Sequence, residues 1–148
     1  MKKGTDYIGV GVGAMIFDDR GRLLLTKRGQ AAKNERGRWE IPGGGVELNE
    51  TRADAIVREV KEELGVDVEV LEGLLTFEHM IPDEGQHWLA TTFIVQLRGG
   101  QAPKIMEPHK CEAIEWFTLD ALPSPLALTT GPSLALYKRS DHARRHKP

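Results

Sequence analysis

Glu59, Glu62 and Glu63 stand at i, i+3 and i+4 in the run "REVKEEL", the spacing that brings side chains together on one face of a helix. In the same segment Ala53, Ile56, Val57, Val60 and Leu64 form an apolar stripe, centred about 120° around the helix from the acids. The pattern predicts a helix from the Asn49 region to about Leu64, anchored to a sheet by one side, with three carboxylates at the edge of the core. Asn49 is the expected cap, Glu50 the acid of the first turn, and Gly65 the stop. Three close anions repel, and a helix built for stability alone would interleave cations. Arg58, four residues before Glu62, and Arg52 relieve this only in part. A hard divalent cation relieves it directly, and oxygen-only ligands select Mg²⁺ or Mn²⁺ over zinc. Mg²⁺ binds few carboxylates and takes phosphate oxygens of a substrate as further ligands. The competing account is a solvated acidic face, so the flanking residues decide.

Those flanking residues are "PGGGVELNE" before the acids and "GV" after them. Gly44, Glu50, Arg58, Glu59, Val60, Glu62, Glu63, Gly65 and Val66 match the Nudix box, G-x5-E-x7-R-E-U-x-E-E-x-G-U with U aliphatic, at every position. Chance produces such a match about once in 10⁹ windows at average residue usage. The chain therefore resembles the Nudix hydrolases, and the preceding "RWEIPGG" fits as well. The resemblance implies an α+β fold with a mixed β-sheet sandwiched between helices (α/β/α). It implies an enzyme that cleaves the diphosphate linkage of a nucleotide by attack of water, with Mg²⁺ as cofactor and Mn²⁺ as a substitute. By similarity Glu59 and Glu63 are metal ligands, and Glu62 is a further ligand or the base that activates water. The backbone carbonyl of Gly43 completes the shell, Gly44 lies against substrate, and Arg58 orients the glutamates. Glu50 supports the loop–helix junction.

Outside the box, "MEPHKCEAIEWF" resembles the nucleoside-triphosphate diphosphatase branch, which makes Glu107 a further candidate ligand, with Glu112 and Glu115 behind it. That branch converts a nucleoside triphosphate to the monophosphate and pyrophosphate. An ADP-ribose-type pyrophosphatase is the alternative, because Pro82 falls where that branch carries a proline; yet "PDEG" is also an ordinary turn. A non-catalytic nucleotide sensor on the same fold is a third reading, disfavoured by the intact set of carboxylates. Similar proteins are often homodimers. From the residues themselves, Lys27 and Arg28 end a strand near the glycine turn and can grip phosphate oxygens. Phe77, His79 and Trp88 fall on paired strands and can stack on a base, although strand aromatics also serve as packing.

The elements that must position these groups are legible in outline. Ile8 to Phe17 and Arg22 to Lys27 flank the turn "DDRG", an expected hairpin. Strands are predicted over Val66 to Met80, His87 to Leu97 and Ala113 to Thr118, with a partial helix over Asp120 to Ser140 interrupted at Thr129 to Pro132. The chain of 148 residues reads as one domain, with a core over about 7–140 and a frayed tail at 141–148. A net charge of -2 offers no general attraction to a nucleic-acid polymer or an acidic membrane. One cysteine, Cys111, excludes an internal disulfide. No segment has the apolar length of a bilayer span, and a cytoplasmic location is expected.

Overall fold

The computed structural model describes residues 1–145. In chain order the elements are β1 (Gly9–Ile16), β2 (Leu23–Arg28), β3 (Trp39–Glu40), β4 (Gly43–Gly45), α1 (Arg52–Leu64), β5 (Val68–Gly73), β6 (Phe77–Ile81), β7 (Gln86–Leu97), β8 (Cys111–Phe117), α2 (Thr130–Lys138) and α3 (Asp141–Arg145). The strands form two sheets. The larger has the order β4-β1-β7-β5, with β6 also paired to β7. Its β1–β7 pair is parallel and the others are antiparallel, so the sheet is mixed as expected. The smaller sheet is antiparallel, β3-β2-β8.

The expected hairpin of the first two strands does not form. The turn itself is present: Asp18 accepts hydrogen bonds from the Arg20 and Arg22 N–H groups, and Gly21 takes a φ of 75°. Beyond a single bridge from Phe17 to Leu23, however, β1 and β2 diverge into different sheets. Both are apolar on both faces, so their pattern names no partner. The long strand expected over Val66 to Met80 is likewise two strands, β5 and β6, which pair with successive halves of β7.

One core cluster lies under α1, where Ala55, Ile56, Val60 and Leu64 meet Val12, Ala14 and Ile16 of β1, Leu24 of β2, and Phe93 and Val95 of β7. Burying each branched side chain of that helix contributes about 1.5–3 kcal/mol. The second cluster lies on the opposite side, where Leu134 and Tyr137 of α2 cover Met15, Leu23, Leu25, Ile41 and Ile94. Helices thus flank the sheets on both sides. The interruption expected at Thr129 to Pro132 is the start of α2 instead, with Pro132 in the first turn, where a missing N–H costs nothing. Residues 141–145, expected to be frayed, form α3, and the remainder of that tail lies outside the described residues. Among the described residues no helix is long and apolar enough to cross a membrane.

Candidate active site

The acidic helix starts two residues later than its pattern suggested. Thr51, not Asn49, is the cap: its backbone is extended and its Oγ1 accepts the Asp54 N–H at 3.0 Å. Asn49 instead turns the chain with a φ of 67°. Glu50 is left outside the helix, free to accept the Glu47 N–H and to face Arg58. At the other end Gly65 adopts the left-handed conformation at φ 69° and its N–H returns to the Lys61 carbonyl, which stops the helix.

Arg58 holds this junction together. Its Nε and Nη2 grip the two Glu50 oxygens at 2.6 and 2.8 Å, and Nη2 also reaches the Gly45 carbonyl at 3.0 Å. Its Nη1 donates to Glu59 at 2.9 Å and to Glu62 at 3.3 Å. The guanidinium holds the Glu50 carboxyl down at about 2. One cation therefore ties the glycine strand, the loop and the acidic face of α1 into one unit.

β4 carries the glycines against that face. It pairs with β1 through Gly43, Gly44 and Gly45. A Cβ on Gly43 would collide with the Val12 carbonyl, and one on Gly44 with the Glu59 carboxylate. Only glycine lets this backbone come so close to the acids. Glu63 accepts a hydrogen bond from the Gly43 backbone. The late loop reaches the same place because the Met106 N–H donates to the Glu63 carbonyl at 3.1 Å and the Lys104 N–H to that of Leu64 at 3.0 Å. Glu107 is thereby seated beside Glu59 and Glu63, close enough to disfavour the ionised form of both.

The acids are poorly compensated. Burial pushes the Glu63 carboxyl well above its ordinary value, and the charges of Glu40, Glu59 and Glu107 push it further. Glu59 is also raised, by burial first, although Arg58 opposes the shift. Glu62, with its side chain 54% exposed, is the solvent-facing member. Glu40 was not singled out by sequence reasoning. It follows Trp39 in β3, pairs with Arg28 at 3.0 Å, and is raised by burial. Its signal was its place in "RWEIPGG", immediately before the glycines. Among the described residues no three His, Cys, Asp or Glu side chains converge enough to hold a metal unaided. The donor set still fits Mg²⁺, which needs only one or two carboxylates and fills its shell with water and phosphate oxygens. A half-buried group of mutually repelling oxygen donors beside the backbone of a glycine strand suits such a cation.

Across β4 from the acids lies a cavity of about 260 Å³. Gly43, Gly44 and Gly45 form one wall, with Gly11 and Gly13 of β1 beside them. Phe77, His79 and Ile81 of β6 and Trp88 of β7 form another. These side chains share a face because β6 and β7 pair in register, His79 opposite Trp88. An N-terminal strap that sequence reasoning overlooked seats the indole. Gly4 and Gly9 press against the Trp88 ring so closely that neither has room for a Cβ, and the Gly4 carbonyl accepts the His87 N–H at 2.8 Å. Lys3 on the strap donates to the Val46 carbonyl at 2.7 Å.

Of the proposed phosphate grips, Arg28 does line the cavity, but its fork is occupied by Asn34 at 2.7 and 2.9 Å and by Glu40. It braces the loop over residues 29–38 and offsets Glu40. Lys27 does not line the cavity: it lies 3.7 Å from Glu112 and over the Trp39 ring. Glu112 is thereby accounted for, and Trp116 packs on the α1 core. Cys111 is a half-buried thiol whose pKa is raised by burial, the opposite of a reactive thiolate.

The NUDIX domain family matches residues 8–137. The CTP pyrophosphohydrolase of Escherichia coli is 30% identical over 135 residues, covering 88% of this chain and 93% of that protein. The low-salt glycan biosynthesis protein Agl8 of Haloferax volcanii is 42% identical over 94 residues; the match covers 60% of this chain and only 58% of that longer protein. Among solved structures, a MutT NUDIX hydrolase from Burkholderia pseudomallei superposes with a TM-score of 0.80 at 38% identity, over 88% of this chain and 98% of that one. With the family spanning both sheets, α1 and most of α2, this chain belongs to the Nudix hydrolases.

Proposed function

We propose that the chain is a Mg²⁺-dependent pyrophosphohydrolase that converts a nucleoside triphosphate to its monophosphate and pyrophosphate. One observation carries this reading: the acidic edge of α1 and the aromatic-walled cavity meet at the two sides of a single glycine strand. A base held against Phe77 and Trp88 would send its phosphates across Gly43–Gly45, where no side chain blocks them, toward the carboxylates. Glu59, Glu63, Glu107 and the Gly43 carbonyl would hold the cation. When bound, Mg²⁺ supplies neutralisation of charge on the phosphate oxygens and a more acidic water. Water adds to one phosphorus as the bond to the leaving phosphate oxygen breaks, and the proton of the water passes to a carboxylate. Glu62, the exposed member, either takes that proton or completes the shell. Arg58, braced by Glu50 and the Gly45 carbonyl, keeps Glu59 and Glu62 in place.

The reading draws support from the E. coli relative, whose name states CTP pyrophosphohydrolase and of which this chain covers nearly all. The ADP-ribose alternative has less. Pro82 opens a tight helical turn over Pro82–Glu84, closed by Gly85 in the left-handed conformation, and that turn accounts for the proline. The test is a panel of nucleoside triphosphates, nucleoside diphosphates and ADP-ribose with product identification. A triphosphate yielding monophosphate and pyrophosphate, silent in EDTA and restored by Mg²⁺, is expected. Faster turnover of ADP-ribose than of every triphosphate would sink the reading, and nucleotide binding without turnover would favour the sensor.

A further inference from the structure

Almost every polar side chain lining the cavity is already engaged. Arg28 is bound to Asn34 and Glu40. Asn34 also donates to Glu84 at 2.7 Å. Gln86 accepts from the Trp88 indole at 3.0 Å and donates to Glu84 at 3.2 Å. Thr92 and Ser133 pair at 2.8 Å, and Glu35 accepts the Leu128 N–H at 2.8 Å. Of the lining's polar side chains, His79 and the Thr129 hydroxyl alone make no hydrogen bond among the described residues. His79 stands in the middle of the aromatic wall, two residues from both Phe77 and Ile81, and opposite Trp88.

The wall's aromatic rings can hold a nucleobase but cannot identify it, since every base presents a π face. Identification needs a hydrogen-bonding edge, and a site built around such a bond rejects a partner that leaves it unmade. The amides and the guanidinium nearby are locked to one another and cannot turn to meet a ligand without breaking those bonds. We propose that His79 is the base-reading residue: its imidazole hydrogen-bonds the edge of the nucleobase held against Phe77 and Trp88 and so sets base preference. This rests on the reading of the cavity as the base site of a nucleotide hydrolase. Burial lowers the affinity of the imidazole for a proton, against a smaller opposing pull from Glu35. The neutral ring then offers one N–H and one lone pair, a matched pair of contacts for the alternating donors and acceptors of a base edge.

The experiment compares the wild type with His79→Leu on triphosphates of the four common bases, and measures inhibition by inorganic pyrophosphate, which has no base. The expected result is a loss of about tenfold in kcat/KM for the preferred base, the worth of one neutral hydrogen bond. The least favoured base changes little, so the preference narrows by the same factor while the pyrophosphate Ki stays put. His79→Asn narrows the preference in the same direction and carries the test if the leucine variant does not fold. An equal loss on all four bases, an equally weakened pyrophosphate Ki, or a wild type with no base preference would make His79 a mere wall and overturn the assignment. A wild type that hydrolyses no triphosphate overturns the underlying reading instead, before any variant is made.

Discussion

On the α1 side of β4, Glu59, Glu62, Glu63 and Glu107 gather, and the cation that meets Glu59 and Glu62 is Arg58. On the other side, the cavity is flanked by side chains whose hydrogen bonds are nearly all made within the protein. The first region is electrostatically loaded; in the second the charged Arg28 and Glu40 are paired with each other and the rest of the lining is braced. A loaded site spends folding stability to keep oxygen donors together, which pays off only when a cation arrives. A braced cavity costs little and stays shaped for a flat ring. On the proposed reading chemistry and recognition are separable here, with a strand of glycines as the partition.

The sharpest way to break that separation is Glu63→Gln set against Phe77→Ala. The amide is a poor Mg²⁺ ligand yet can still accept the Gly43 N–H, so kcat should fall by about 10²–10³. The melting temperature should hold or rise, because one member of a repelling group has been neutralised. Phe77→Ala should do the reverse in kinetics: KM rises about tenfold while kcat stays within about threefold, the mark of binding lost equally from ground and transition states. If both variants lower kcat alike, the two regions act as one and the partition is wrong.

Gly44→Ala probes the partition itself. Its Cβ would press on the Glu59 carboxylate, the mobile end of a side chain, which can move aside. The protein should fold and lose about tenfold in kcat as Glu59 is displaced. Gly43→Ala meets the Val12 carbonyl, a backbone atom within the sheet, and should instead lower stability by several degrees or prevent folding. Thermal melts of both, beside kcat of the first, decide whether the two glycines serve chemistry and architecture separately.

The same contrast governs what could be read from the chain alone. The acidic region is legible because most of it is one continuous segment, from the glycines through α1, whose helical spacing fixes the relative positions of Glu59, Glu62 and Glu63. Local rules cover caps and stops, and even there the cap fell on Thr51 because Asn49 was needed for a left-handed turn. The cavity is not local. It draws on β1, the loop after β2, β3, β4, β6, β7 and the start of α2. Nothing in the period of "GVGVGAMI" or "LLLTKR" says that β1 would run parallel to β7 while β2 joined β8. Trp88 could be named as an aromatic on a strand, but its seat between Gly4 and Gly9 is a contact across some eighty residues. Lys27 shows the same limit: its place at the strand end is legible, and its partner, Glu112, lies on a neighbour that the pattern does not identify.

The smallest expected effect is also the most direct measure of the load. The folded-state carboxyls of Glu63 and Glu59 are raised, so folding favours their protonated forms. Their stabilising contribution is complete below the ordinary carboxylate value of about 4.3 and is lost as pH climbs through the raised values. Glu50, held at about 2 by Arg58, behaves oppositely, contributing above the ordinary value and losing it as pH falls. Metal-free protein should therefore melt higher at about pH 5.5 than at about pH 8, with each kcal/mol appearing as about 2–4 °C. Added Mg²⁺ requires ionised ligands, so its stabilisation should be larger at the higher pH and narrow the gap. Melts in EDTA and in Mg²⁺ at both values read this out, free of any substrate. A metal-free melting temperature that climbs with pH over that interval would mean the carboxylates are already at ease with one another, leaving the acidic edge of α1 no more loaded than the cavity behind it.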